Sequence, residues 1–195
     1  MLDLKGRKRV APFLEPIAKG LGRIGFTPTT ITILGLLISI GGAVLIGFGR
    51  LAAGAAVAGF GVFLDALDGP LARAVGTATI RGAFVDTIAD RIGEIAIWTG
   101  LAVYLRHEPL GLVLCLLSLA FSLLIPYIRA RAESWGAEGR GGWMGRAERM
   151  LVALFGIGFA GFGLPVMYPL LWTFTVLTAL TVAQRIRHTW QQLPG

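Results

Sequence analysis

Residues 29–49 read TTITILGLLISIGGAVLIGFG, a run without a single charged side chain. Coiled as a helix at 1.5 Å per residue, it spans about 30 Å, the thickness of a bilayer's hydrocarbon core. Working outward, five more apolar windows follow at 51–72, 83–105, 109–128, 150–164 and 166–184, the fifth being the shortest. The predicted fold is therefore all-α: a polytopic membrane protein of six transmembrane helices, occupying residues 25–195 as one domain. Composition agrees. Of 195 residues 55% are hydrophobic and 15% charged, with a mean hydropathy of +0.73, whereas soluble domains average nearer 45–50% and 25%.

Lys and Arg number 18 against 11 Asp and Glu, a net charge of +7. The distribution of that charge argues for a membrane edge rather than nucleic acid. Apart from Arg50, Arg106 and Arg91, every basic residue lies before the first window, between the second and third, between the fourth and fifth, or after the sixth. Under the positive-inside rule those segments and both termini face the cytoplasm. Residues 1–24 are predicted to form an amphipathic helix on the cytoplasmic leaflet, because Val10, Phe13, Leu14, Ile17, Leu21 and Ile24 recur at helical spacing with Lys5, Arg9, Lys19 and Arg23 elsewhere around the wheel. No small-residue cleavage pattern marks a removable signal peptide. The single cysteine, Cys115, sits in an apolar run and reads as packing.

The second and third windows carry what a membrane helix should avoid: Asp65, Asp68, Asp86 and Asp90, followed by Arg91 and Glu94. Four uncompensated carboxylates would cost roughly 10 kcal/mol even on the lenient insertion scale. Their spacing offers the compensation. Positions three and four apart share a helix face, so a turn between Val75 and Ala78 would gather all four in one cytoplasm-facing cavity. Like charges that close need a cation, and oxygen ligands favour Mg²⁺ or Mn²⁺ over zinc. Gly69 and Gly82 lie on the same faces and would let a ligand reach the backbone, with Arg73 close by. Metal, arginine and bare backbone suit a diphosphate and a transferring phosphoryl group. Two other uses of the acids stay open at this point: salt bridges to Arg73, Arg81 and Arg91, or a pathway of a divalent metal-ion transporter.

The pattern Asp65-x-x-Asp68-Gly69-x-x-Ala72-Arg73, eight residues, Gly82-x-x-x-Asp86-x-x-x-Asp90 resembles, without a gap, the motif of the CDP-alcohol phosphotransferase family. The resemblance implies a six-helix membrane enzyme, commonly a homodimer, that transfers a phosphatidyl group from CDP-diacylglycerol to a hydroxyl and releases CMP. It implies metal binding by Asp65, Asp68 and Asp86, and a general-base role for Asp90 that leaves contact with a metal open. It also implies a donor site lined by Gly69, Ala72, Arg73 and Gly82. Thr27-Pro28-x-x-Ile31-Thr32 is similar to the family's first-helix entry, which adds Pro28, Ile31 and Thr32 to the CDP-diacylglycerol site.

The acceptor must be read outside that motif. Arg129-Ala-Arg131-Ala-Glu133, the run from Gly141 to Arg149, and Gln184-Arg185 resemble the phosphatidylinositol phosphate synthases of actinobacteria within the same family. There the matching basic residues hold the phosphate of inositol 1-phosphate. Arg129, Arg131, Arg149 and Arg185 are accordingly expected to bind an acceptor phosphate. Converging cations suit a phosphomonoester better than free inositol or serine. Glycerol 3-phosphate, the acceptor of a phosphatidylglycerophosphate synthase, remains an alternative.

Overall fold

The computed structural model describes residues 16–18, 20–74, 76–139, 141–142 and 144–193. Among the described residues from Pro28 onward, seven helices follow one another: α1 (Pro28–Gly47), α2 (Leu51–Asp65), α3 (Asp68–Ala74), α4 (Ile80–Tyr104), α5 (Pro109–Ser134), α6 (Arg146–Gly161) and α7 (Met167–Trp190). Residues 16–18 and 20–23 are also helical. Ala18 and Leu21 pack there with Ile31, Leu67 and Leu71. Most of the amphipathic helix expected over 1–24 lies outside the described residues.

Among the described residues, four stretches are long and apolar enough to cross a membrane: Pro28–Gly47, Leu51–Ala74, Pro109–Ser134 and Met167–Trp190. The other two of the six expected windows correspond to α4 and α6. α4 is 25 residues long but carries Arg81, Asp86, Asp90, Arg91 and Glu94, and α6 has only 16 residues. The second window is also not one rod. It breaks at Ala66 and Leu67, between Asp65 and Asp68, so α3 starts afresh at Asp68.

Small residues bring the helices that carry the site together. A methyl group on Gly35 would meet the Gly61 carbonyl oxygen at 2.7 Å and the Asp65 amide nitrogen at 3.0 Å. Further along the same seam, Gly42 lies against Ala58 and Gly54, and Ser39 against Gly61. Such close approach is how helices associate where burying apolar surface gives no advantage over lipid. α1 meets α4 in the same way at Gly100, directly over the Ala43 carbonyl. Behind them a core of Trp98, Leu101, Ile157, Leu171 and Phe174 ties α4 to α6 and α7, with Trp98 edge-on to Phe174 at 4.7 Å. The side-chain hydroxyls of Ser118 and Thr175 join α5 to α7 at 2.8 Å. Cys115 is buried, its thiol donating to the Trp98 carbonyl. Large side chains such as Leu37, Phe48, Phe155 and Trp172 face outward, each more than half exposed. Such an apolar exterior is suited to lipid.

Candidate active site

Three of the expected acids meet. One carboxylate oxygen each from Asp65, Asp68 and Asp86 lie within 4.8 Å of one another. The break after Asp65 and the turn through Gly76, whose φ of +67° suits a residue without a side chain, fold α3 and α4 back so that three separate helices supply the oxygens. Two oxygens on one Mg²⁺ at about 2.1 Å each stand at most about 4.2 Å apart. The trio is thus within about half an ångström of that span, and its all-oxygen donor set fits a hard divalent ion. Each carboxylate is braced differently. Thr32 donates its hydroxyl hydrogen to Asp68 Oδ2 at 2.6 Å. Asp65, nearly buried, is held by the α1 seam and by both terminal nitrogens of Arg146 at 3.5 Å.

Asp90 sits one turn beyond Asp86 and is not among the three clustered acids. Instead its Oδ1 pairs with Arg146 Nη2 at 2.5 Å. It still neighbours Asp65 and Asp86, so all four acids share one region, but its role differs from that of the trio.

Beside the trio opens a cavity of about 560 Å³, lined among others by Pro28, Thr32, Asp68, Gly69, Ala72 and Arg73, and by Thr79, Gly82 and Asp86. Two helix N-termini border it. Thr27 caps α1 by accepting from the Thr30 amide, and Thr79 caps α4 by accepting from the Gly82 amide at 3.0 Å. The positive ends of both helix dipoles therefore face a space suited to phosphate. A methyl on Gly69 would point into that space, meeting only the Arg73 guanidinium, at 3.6 Å. Ile31 does not line the cavity. It is 2% exposed and packs beneath the floor with Leu67 and Leu71, because it is turned about 100° from Thr32 around α1. If the trio holds Mg²⁺, Thr32→Val, which removes a partner of Asp68, should weaken its binding roughly tenfold or more. A calorimetric titration with Mg²⁺ checks it.

Of the four arginines expected together, three are neighbours. Arg129 and Arg149 both lie within electrostatic reach of Arg185. Arg185 donates to the carbonyls of Gly141 at 2.9 Å and Ile125 at 3.0 Å. Arg149 is 2% exposed and donates to Glu94 Oε1 at 3.3 Å and to the Met144 carbonyl at 3.4 Å. Arg129 pairs with Glu133 at 2.8 Å. The structure does not bring Arg131 to this group. Two residues from Arg129 on one helix, it is turned about 200° away, and its guanidinium stacks 4.3 Å over the Trp135 ring.

Two residues join the site unannounced. Arg146, expected only as a cytoplasmic charge, bridges Asp65 and Asp90. Glu94, fully buried, pairs with Arg91 at 2.6 Å and with Arg149, linking the acid-bearing helix to the arginine group. The sequence signal was charge balance: a buried acid must find a cation.

The model of the CDP-alcohol phosphatidyltransferase family matches residues 26–183. The chain belongs to this family. It is a phosphatidyltransferase acting on a CDP-alcohol, which settles the transporter alternative, and it is a membrane protein of lipid synthesis. Among similar proteins is the phosphatidylinositol phosphate synthase of Mycobacterium tuberculosis strain H37Rv, 39% identical over 203 residues, covering 100% of this chain and 93% of the relative. That of Corynebacterium glutamicum is 35% identical over 192 residues, covering 95% and 88%. The crystal structure of the M. tuberculosis synthase with CDP-DAG bound aligns with a TM-score of 0.84 at 38% identity, covering 91% of this chain and 93% of that one. The same enzyme in complex with manganese and citrate gives 0.85 at 38%, covering 91% and 88%. That a similar enzyme is found in complex with manganese agrees with the fit of the aspartate trio to a hard divalent ion.

Proposed function

We propose that the chain transfers a phosphatidyl group from CDP-diacylglycerol to inositol 1-phosphate, giving phosphatidylinositol phosphate and CMP. The observation that carries this reading is the pairing of two sites: an aspartate trio beside a phosphate-suited cavity, and a separate cluster of Arg129, Arg149 and Arg185. The names of the relatives support the acceptor.

Asp65, Asp68 and Asp86 hold the metal; the donor's cytidine and diphosphate lie against Pro28, Thr32, Gly69, Ala72, Arg73 and Gly82. A divalent ion bound there supplies charge neutralisation for the diphosphate. Arg149 and Arg185, with Arg129 at the edge, grip the acceptor's phosphate and turn its hydroxyl toward Asp90. Asp90, kept in orientation by Arg146, takes the hydroxyl proton. The acceptor oxygen bonds to the phosphorus that bears diacylglycerol, and the bond from that phosphorus to the oxygen bridging to CMP breaks. Arg73 stabilises the charge on the departing CMP. Ile31 and Arg131 are left out of these roles, the first lying under the cavity and the second stacked on Trp135.

The topology belongs to the same proposal. Residues 25–195 form the catalytic unit, and α4 and α6 complete six crossings. In α4 the charges crowd into the first fifteen residues, Ile80 to Glu94, and Ile95 to Tyr104 are apolar or small, so only its cytoplasmic half is polar. Both termini and the site then face the cytoplasm, as the placement of Lys and Arg favours. The chain works as a homodimer in the cell membrane; Ile88, Ile92 and Ile95, exposed along one side of α4, supply an apolar strip for it, and crosslinking in native membranes reads it out.

The experiment is CMP release by detergent-purified protein from CDP-diacylglycerol with Mg²⁺ or Mn²⁺ and one of four acceptors. Inositol 1-phosphate should exceed inositol and serine by roughly tenfold or more, the worth of one hydrogen bond to a charged group. A preference for glycerol 3-phosphate would reassign the chain to phosphatidylglycerophosphate synthesis.

A further inference from the structure

The segment between α5 and α6 touches each of the three clustered arginines through its backbone. A methyl on Gly139 would meet the Arg129 Cα and carbonyl oxygen at 2.6 Å, so the two backbones lie in contact. The Gly141 carbonyl accepts from Arg185 Nε at 2.9 Å. The Met144 carbonyl accepts from Arg149 Nη1 at 3.4 Å. Where these carbonyls stand decides where two guanidinium groups point.

One side chain fastens that segment from outside. The Glu138 amide donates to Gln192 Oε1 at 2.7 Å, and Gln192 Nε2 donates back to the Glu138 carbonyl at 3.1 Å. A carboxamide is matched here to both polar groups of one residue, a pairing that needs a donor and an acceptor on one planar group, as the Gln side chain offers. Gln192 Nε2 also donates to the His188 carbonyl at 3.1 Å, which anchors the side chain to the last turn of α7. Gln192 and Glu138 are both exposed, so the pair has no packing role that would explain it.

We propose that Gln192 is a positioning residue for the acceptor: it clasps the α5–α6 segment to the end of α7 and thereby fixes the carbonyls that aim Arg149 and Arg185. This rests on the reading of those arginines as the acceptor's phosphate site. The donor cavity is lined entirely by residues from Gly22 to Asp86, so the clasp governs one substrate and not the other.

Steady-state CMP release by the full-length protein, varying each substrate in turn, tests it in Gln192→Ala, Gln192→Glu and Arg185→Gln. Gln192→Ala should raise the KM for inositol 1-phosphate roughly three- to tenfold, the net worth of a hydrogen bond, with donor KM and kcat within about twofold of the parent. Gln192→Glu, lacking the Nε2 donor, should do at least as badly. Hydrogen exchange at the Glu138 amide should quicken in Gln192→Ala, which removes its acceptor. Since Gln192 is exposed, melting temperatures should match the parent. An unchanged acceptor KM in Gln192→Ala, alongside a raised one in Arg185→Gln, overturns the clasp. An equal rise in both KM values overturns its selectivity. An unchanged acceptor KM in Arg185→Gln overturns instead the acceptor reading, while exchange at Glu138 still reports on the clasp itself.

Discussion

Asp90→Asn should slow CMP release by roughly 10²- to 10⁴-fold, the range contributed by a positioned general base, while CDP-diacylglycerol continues to bind. The amide keeps the shape of the carboxylate but has no basic oxygen able to take the acceptor's proton. Donor binding should survive because Asp90 is neither in the aspartate trio nor in the lining of the donor cavity. Its partner is Arg146, at 2.5 Å, which in the variant faces a neutral amide yet keeps its contact with Asp65. Turnover and donor binding are measured on the same preparation, binding by the shift in melting temperature with added CDP-diacylglycerol. Turnover near the parent rate would remove Asp90 from the chemistry and leave it a structural partner of Arg146.

Chelation should abolish CMP release, with Mg²⁺ or Mn²⁺ restoring it, and Asp86→Asn should lower metal affinity more than the roughly 10- to 100-fold that follows loss of an outer partner. Stability gives this prediction a second readout with a definite sign. Three carboxylates whose oxygens lie within 4.8 Å repel one another when no cation lies among them. Added Mg²⁺ at about 100 times its Kd should stabilise the parent by about 2.7 kcal/mol and the variant far less. A parent protein indifferent to Mg²⁺ in both assays would separate the trio from metal binding.

The sequence made the site legible to different depths. The acids could be found because their cost in a hydrophobic helix demanded compensation, and Asp65, Asp68 and Asp86 do converge, whereas Asp90, four positions beyond Asp86, stands outside the trio. The route was partly wrong. Asp65 and Asp68 were placed on one continuous helix, whereas the chain breaks at Ala66 and Leu67; periodicity registers which residues are apolar, not where a backbone changes direction. Ile31 and Arg131 are carried by a linear pattern, which does not register direction: Ile31 packs with Leu67 and Leu71, and Arg131 stacks over Trp135. Arg146 was the reverse case. Its partners Asp65 and Asp90 are 81 and 56 positions away in the chain, and no local spacing connects them. Charge balance predicts that such a cation must exist, and only tertiary packing says which one it is.

The glycine-lined contact between α1 and α2 has a consequence for how this enzyme tolerates change. Because Gly35 rests on the Gly61 carbonyl and the Asp65 amide, sliding one helix by a single residue would carry Asp65 about 1.5 Å along the axis and swing it through about 100°. The seam thus acts as a ruler, fixing ligand spacing with backbone atoms rather than adjustable side chains. Diversification of acceptor preference is then cheapest at the other end of the reaction, among the arginines and the segment that aims them, where geometry can drift without disturbing the gauge.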